Sequence, residues 1–382
     1  MNGRVTLVAG LACTIVMATT PAAFAMKSRV IVTLTAGTDA QAAADQATAN
    51  GAEITHVFHA GYSGRLPGKL IKQLRSAPDV SAIERDRRLR AAQVMCATQS
   101  QAPWGLDRIS ERALVLDGDY QSSYDGTPDK AYVLDTGIDT QNPDFGGRAT
   151  WGVDEIDGSQ QDCNGHGTAV AGTVGGTTLG VAKKVPLVAV RVLNCNGVGF
   201  ASDVIAGLEW VVDDHQANPR PSVAVLALGG KLSNAVNAAV DAATQAGIVT
   251  VAAAGNQQAD ACNFSPASAS SVMTAAATDK DTANHADLVA PFSNGGTCVT
   301  MFAPGVDITV DWLHGRTKNV SGTSFSAAYL AGAAVQTLNE HPTWTAAQVK
   351  TSLISRSTKG IVTGTSKAPA SANQILYTAC DV

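Results

Sequence analysis

The sequence predicts an α/β protein: a mostly parallel central sheet covered by helices on both faces, preceded by a small domain of its own. Three observations carry that prediction. Apolar, β-rich runs recur at 131–134, 187–193, 222–228, 248–253, 272–277 and 298–302. Between several of them lie helical stretches, 201–214 and 233–246, with apolar residues three and four apart. Strands that are apolar throughout, rather than alternating, belong in a sheet buried on both sides. The third observation is a change of character near residue 90, after which the alternation of strand and helix begins. The chain has 382 residues, enough for two domains of ~100–200 residues each.

At the start, Arg4 precedes an apolar run from Val5 to Met17, and the stretch ends Ala23-Phe24-Ala25. A positive start, a short apolar core and small residues before the cut are the anatomy of a secretory signal, residues 1–25. Threonines interrupt the run and Pro21 follows it, and it is too short for a membrane span. Residues 28–34 then read as a strand, 38–50 as an alanine-rich helix, 52–59 as a strand, 66–76 as a short helix and 80–84 as a strand. That order makes a small sheet with helices on one face. Residues 26–90 hold ten Lys and Arg against six Asp and Glu, while the whole chain is at −5. A basic small domain followed by an acidic large one suits a detachable partner attracted by complementary charge. With no long basic tract, nucleic acid is a poor partner. Helices at 324–339 and 345–356 close the chain, the second introduced by Thr345.

Cysteine usage agrees with an oxidising compartment. Cys13 falls in the signal, leaving Cys96, Cys163, Cys195, Cys262, Cys298 and Cys380. Counting alone leaves their connectivity open. None forms a CxxC pair and no histidines cluster around them, so structural zinc is not indicated.

Three local constellations stand apart. Tyr132-Val133-Leu134-Asp135-Thr136-Gly137 runs an apolar strand into a carboxylate. Asp162-Cys163-Asn164-Gly165-His166-Gly167-Thr168 places a histidine between glycines where a helix starts. Ser321-Gly322-Thr323-Ser324-Phe325-Ser326-Ala327 again sets a polar residue at the beginning of an apolar helix. Singly, these are a turn carboxylate, an ordinary histidine and a helix cap. Together, an Asp, a His and a Ser at the edges of α/β elements offer a nucleophile, its base and a carboxylate to orient the base.

In that order these segments resemble the subtilisin-like serine proteases, and among them the secreted proteinase K-like branch. Further matches are Ala102-Pro103-Trp104-Gly105-Leu106-Asp107-Arg108-Ile109, Leu228-Gly229-Gly230, Ala253-Ala254-Gly255-Asn256 and Phe302-Ala303-Pro304-Gly305. Residues 28–90, ending Ile83-Glu84-Arg85-Asp86, are similar to the family's inhibitory propeptide. The resemblance implies a subtilisin-like fold over 91–382, preceded by a ferredoxin-like propeptide domain, 26–90, that assists folding and inhibits. It implies a secreted, monomeric serine endopeptidase made as a zymogen, acting on proteins and peptides, with neither membrane nor nucleic acid as partner. Cleavage of the propeptide is expected between Arg90 and Met95, near Ala91. Ser324 would be the nucleophile, His166 the general base and Asp135 its orienting carboxylate. The Asn256 side chain and the Ser324 N–H would form the oxyanion hole. Ala227, Leu228 and Gly229, with Ala253, Ala254 and Gly255, would line a groove for extended peptide, with broad preference for apolar or aromatic residues before the cut.

The chain departs from the family pattern at Ala169, Ala328 and Tyr329, where His, Pro and His are usual, and at Val225 and Ala227 in the groove strand. None of these removes a catalytic atom. The alternative they raise is a catalytically impaired, secreted peptide-binding protein that keeps the fold. A lipase or esterase is disfavoured by the absence of G-x-S-x-G and by the order Asp, His, Ser. No cofactor is required for the chemistry. The resemblance implies structural calcium, held near Ser270 and Val272 with an aspartate, but Thr300 stands in the aspartate's place; the acidic loops from Asp139 to Asp154 are a second candidate. It also implies disulfides Cys163–Cys195 and Cys262–Cys298. Cys96 and Cys380 remain, near the two ends of the mature chain, and pair if those ends meet.

Overall fold

The computed structural model describes residues 27–87, 96–281 and 286–380. The expected secretory signal over 1–25 and the expected cleavage between Arg90 and Met95 lie outside the described residues. The chain forms two compact units, Met1–Ala92 and Gln93–Val382.

The small unit holds β1 (Lys27–Leu34), α1 (Ala40–Ala49), β2 (Glu53–Phe58), β3 (Gly61–Pro67), α2 (Gly68–Leu74) and β4 (Val80–Arg85). Its strands pair antiparallel in the order β2-β3-β1-β4. Asp39 caps α1 by accepting from the Gln41 and Ala42 amides. Val30, Val32, Tyr62, Leu66 and Leu70 form the centre of its core with Ala44 and Ala47. β3 is absent from the sequence reading, which placed a helix from residue 66. Its glycines look like turn residues, yet β3 lies inside the sheet. At Gly61 a β-carbon would run into the Val32 carbonyl, so close strand approach demands the glycine.

The large unit opens with β5 (Ala97–Ser100), α3 (Trp104–Ile109) and β6 (Asp119–Ser122). Then come β7 (Lys130–Asp135), β8 (Ala149–Asp154), α4 (His166–Gly175), β9 (Leu187–Arg191), α5 (Ala201–Ala217) and β10 (Ser222–Leu226). They are followed by β11 (Gly230–Lys231), α6 (Asn234–Gln245), β12 (Val249–Ala253), β13 (Phe264–Ser265), β14 (Met273–Asp281), β15 (Ala286–Val289) and β16 (Met301–Pro304). A hairpin of β17 (Ile308–Trp312) and β18 (Arg316–Val320) precedes α7 (Thr323–Glu340) and α8 (Ala346–Arg356). Short strands β19 (Thr358–Lys359), β20 (Val362–Thr363) and β21 (Gln374–Ile375) end the described chain.

The central sheet runs β8-β9-β7-β10-β12-β14-β16-β21, parallel throughout, with β15 and β19 antiparallel at its margins. Alternation along each strand feeds two cores. Val133, Val225 and Val251 face α4 and α7, whereas Tyr132, Leu134 and Leu226 face α5 and α6. Helix α7 is buried on every side from Thr323 to Leu338. Its Ala, Gly and Ser residues let neighbouring backbones come close, and Ser326 and Gln336 find carbonyl partners inside. The edge strand β8 escapes a pattern search because Gly152 and a register shift interrupt it.

Ala169, Ala328 and Tyr329 are all core residues at 1% exposure or less. The Tyr329 ring fits because Gly105 of α3 has no side chain there. Three disulfides join Cys96 to Cys380, Cys163 to Cys195 and Cys262 to Cys298. The last two close loops of 32 and 36 residues, which chain entropy values at ~3–4 kcal/mol each.

Arg108 and Asp287 form a fully buried, two-pronged ion pair, both bonds at 2.7 Å. Removing one partner strands the other charge, so Arg108→Ala should lower stability by about 3–5 kcal/mol in chemical denaturation. Asp129 and Asp311 are buried carboxyls with no cation partner among the described residues. Burial, then the charge of Asp125, pushes Asp129 up to about 7. Burial, then Asp144, pushes Asp311 up to about 8. Between the ordinary carboxyl range and those values the folded state binds more protons than the unfolded one. Stability contributed by these protonated groups is therefore complete at low pH and is lost as pH rises through 7 and 8. In Asp129→Asn and Asp311→Asn the fall in Tm between pH 5 and 9 should flatten, each abolished pKa unit being worth ~1.4 kcal/mol.

Candidate active site

Asp135 ends β7, where the strand order reverses: β9 and β8 lie to one side, β10 and its successors to the other. The crevice at such a switch point is where parallel α/β sheets present their sites. Asp135 is fully buried. His166 begins α4, and its Nδ1 lies 2.7 and 2.9 Å from the two Asp135 oxygens. This bond orients the ring through Nδ1, and among the described residues no hydrogen bond engages Nε2. At Gly167 a β-carbon would strike the Gly137 carbonyl, so the glycine lets α4 press against the end of β7.

Asp162 fixes that junction. Its Oδ1 accepts from Thr136 Oγ1 at 2.9 Å, the Asn164 amide at 3.0 Å and the Gly165 amide at 2.8 Å. Its Oδ2 accepts from the Thr168 amide and hydroxyl at 3.0 and 2.6 Å. Burial disfavours the charged imidazole of His166, but the charge and hydrogen bond of Asp135, with Asp162 beyond, outweigh it and hold the ring above the usual histidine range.

Ser324 lies in the first turn of α7, only 7% exposed, with its hydroxyl donating to the Ala227 carbonyl at 3.0 Å. Among the described residues that is its bond, rather than one to His166. The neighbouring Phe325 ring approaches His166 with centroids 5.9 Å apart. As a first-turn residue, Ser324 has a backbone amide of the kind a helix leaves without an internal partner, at the positive end of its dipole.

Asn256 is held by Thr323. Its Oδ1 accepts from the Thr323 amide and hydroxyl at 3.0 and 2.9 Å, and the same hydroxyl accepts from the Gly255 amide at 3.0 Å. With its oxygen occupied, Asn256 presents Nδ2 as a donor beside Gly322, which has no side chain to block it. The sequence reading missed Thr323 and Asp162. Their signal was local: a hydroxyl between Gly322 and Ser324, and a carboxylate four residues before His166.

A cavity of about 130 Å³ is lined by Ala227, Leu228, Gly229, Ala253, Ala254 and Gly255 together with Asn256 and Ser324. Every residue predicted for the groove is there. A wider recess of about 550 Å³ borders it, reaching from His166 to Val198, Phe200 and Lys231. Val198 and Phe200 are 61% and 78% exposed, an apolar rim the sequence reading also missed.

A histidine bonded to a buried carboxylate, a helix-start serine and an aimed amide donor thus lie together beside an open cleft. The Subtilase family profile matches residues 132–373 and the Peptidase inhibitor I9 profile residues 24–92; the chain belongs to the subtilase family. It is 44% identical to "Alkaline serine exoprotease A" of Vibrio alginolyticus over 84% of its length and 59% of that protein's. It is 44% identical to "Extracellular serine proteinase" of Thermus sp. (strain Rt41A) over 86% of its length and 78% of that protein's. The chain thus spans less than two thirds of the Vibrio relative. The crystal structure of a cold adapted subtilisin-like serine proteinase superposes with a TM-score of 0.69 at 44% identity, over 74% of this chain and 100% of the other.

Calcium can be weighed on the donors present. At the expected place it does not fit. The Val272 carbonyl accepts from Lys350 Nζ at 3.1 Å, and the Thr300 hydroxyl accepts from the Thr274 amide at 3.0 Å. The loop acids do not gather either: Asp139 accepts from the His314 amide, and Asp154 pairs with Arg191. Asp107, Glu111 and Asp117 do gather, with one ligand atom from each within 4.8 Å of the others. Asp107 Oδ1 is buried without a partner. Burial and neighbouring negative charges hold the Asp107 and Glu111 carboxyls above their ordinary range. That donor set suits a hard cation.

Replacing Asp135 by Asn removes the charge that supports the His166 imidazolium. In Asp135→Asn the His166 ring, followed by nitrogen chemical shifts, should titrate at lower pH than in the parent chain.

Proposed function

We propose that this chain is a secreted serine endopeptidase made as a zymogen: a signal over 1–25, an inhibitory, folding-assisting propeptide of ferredoxin-like fold over 26–90, and a proteinase K-like peptidase domain over 91–382. The observation that carries the reading is the Asp135–His166 bond beside a helix-start Ser324 and an Asn256 whose amide is aimed by Thr323. Ser324 leaves the Ala227 carbonyl, gives its proton to His166 Nε2 and attacks the peptide carbonyl. The carbonyl oxygen, now negative, is met by Asn256 Nδ2 and the Ser324 amide. His166, charged and steadied by Asp135, returns the proton to the leaving amine, and water repeats the sequence on the acyl-enzyme.

The groove residues Ala227–Gly229 and Ala253–Gly255 let an extended substrate come close enough to hydrogen-bond, and the uncharged lining of the smaller cavity favours apolar or aromatic residues before the cut. A hard cation such as calcium would be held by Asp107, Glu111 and Asp117. It would offset most of the negative charge of the three acids and tie α3 to the following loop, with no part in the chemistry.

Purified mature protein should cleave casein and label at Ser324 with a fluorophosphonate probe; correctly folded material that does neither is the peptide-binding protein instead. A Ser324→Ala precursor in a protease-free host should remain uncut near Ala91, whereas cleavage at the parent's rate would show that another enzyme processes it. Thr323→Val keeps the volume and frees Asn256. It should lower kcat by roughly tenfold with little change in KM, less than the ~10²–10³ loss when such a donor is deleted outright. Asp135→Asn should lower kcat by ~10⁴.

A further inference from the structure

Lys350 stands on the second turn of α8, 78 residues along the chain from the carbonyl it reaches. Its Nζ donates to Val272 O at 3.1 Å, just ahead of the first residue of β14. Burial alone lowers its pKa, and no acidic neighbour contributes. This lysine therefore differs from a surface ion pair: its partner is a backbone oxygen at the end of a turn.

The rest of the turn is already provided for. Ser270 donates to Asp241 Oδ2 at 3.0 Å, and Ser271 uses amide and hydroxyl on Asp241 Oδ1 at 3.0 and 2.6 Å. Thr300, 7% exposed, donates its amide to the Thr274 carbonyl at 2.8 Å and accepts from the Thr274 amide on its hydroxyl. Its own carbonyl accepts from Gln374 Nε2 at 2.6 Å. The carboxylate of this set, Asp241, is engaged on both oxygens by Ser270 and Ser271. A hard divalent cation asks for roughly six to eight oxygens, with carboxylates among them, and would be repelled by an ammonium on the same carbonyl.

We propose that the Lys350 ammonium is a built-in replacement for a divalent cation on the Val272 carbonyl, so that the 270–272 turn is anchored to α8 by a tethered charge and takes up no calcium. A tethered cation is indifferent to chelators and to dilution. The absence of a carboxylate at 300 and the presence of a lysine at 350 are then two halves of one exchange.

The exchange is reversible by design, which makes it testable in the full chain carrying Ser324→Ala to prevent self-digestion. Calcium would be counted by titration calorimetry after EDTA treatment, and Tm followed with and without calcium. Lys350→Met should lower Tm by about 2–4 °C in both conditions. Lys350→Met with Thr300→Asp should bind one calcium more than the parent and recover Tm in calcium but not in EDTA, a rescue that lost packing would not give. A Lys350→Met chain with the parent's Tm, a double variant that gains no calcium, or a Thr300→Val chain that binds one calcium fewer than the parent would each overturn the proposal.

Discussion

Five hydrogen bonds converge on the carboxylate of Asp162, and they hold the end of β7 against the start of α4. Asp135 belongs to one of those elements and His166 to the other, so their bond exists only while that junction does. The Cys163–Cys195 bridge ties the same loop to the segment after β9, and the buried Arg191 guanidinium reaches across to Asp154 and Asp157. A carboxylate with every oxygen engaged resists both water and rearrangement. The site is thus rigid around its charged groups and open along the neighbouring cleft.

The second constraint is the burial of α7. A helix surrounded on all sides cannot shift without opening the core, and Ser324 and Thr323 share in that immobility. Thr323 passes it on to Asn256. The chain's unusual residues behind Ser324, Ala328 and Tyr329, belong to this buried packing, with Gly105 making room for the ring.

Calcium shows how far family likeness carries and where the residues take over. The likeness pointed to Ser270, Val272 and an aspartate, but the chain has a threonine there and a lysine on α8. The acids that do assemble, Asp107, Glu111 and Asp117, come from α3 and the loop beyond it. Electrostatics bears on both: gathered acids hold one another's pKa up or take a cation between them, and the Lys350 ammonium opposes a second cation on the same carbonyl.

The sequence by itself determined the parallel α/β class, because strands apolar on both faces have nowhere else to go. It also pointed to the three segments that carry the Asp, His and Ser, since each sets a polar residue at the edge of an apolar element within two residues of a glycine. Tertiary structure alone decided the rest. β3 was hidden because its glycines serve strand approach, a need invisible without the neighbouring strand. Thr323 and Asp162 read as ordinary small polar residues until their partners, distant or folded back, were in place. Lys350 looks like any exposed helix lysine until α8 lies over Val272. Local sequence records the period and polarity of a segment; which atoms a side chain meets depends on long-range packing that no local pattern encodes.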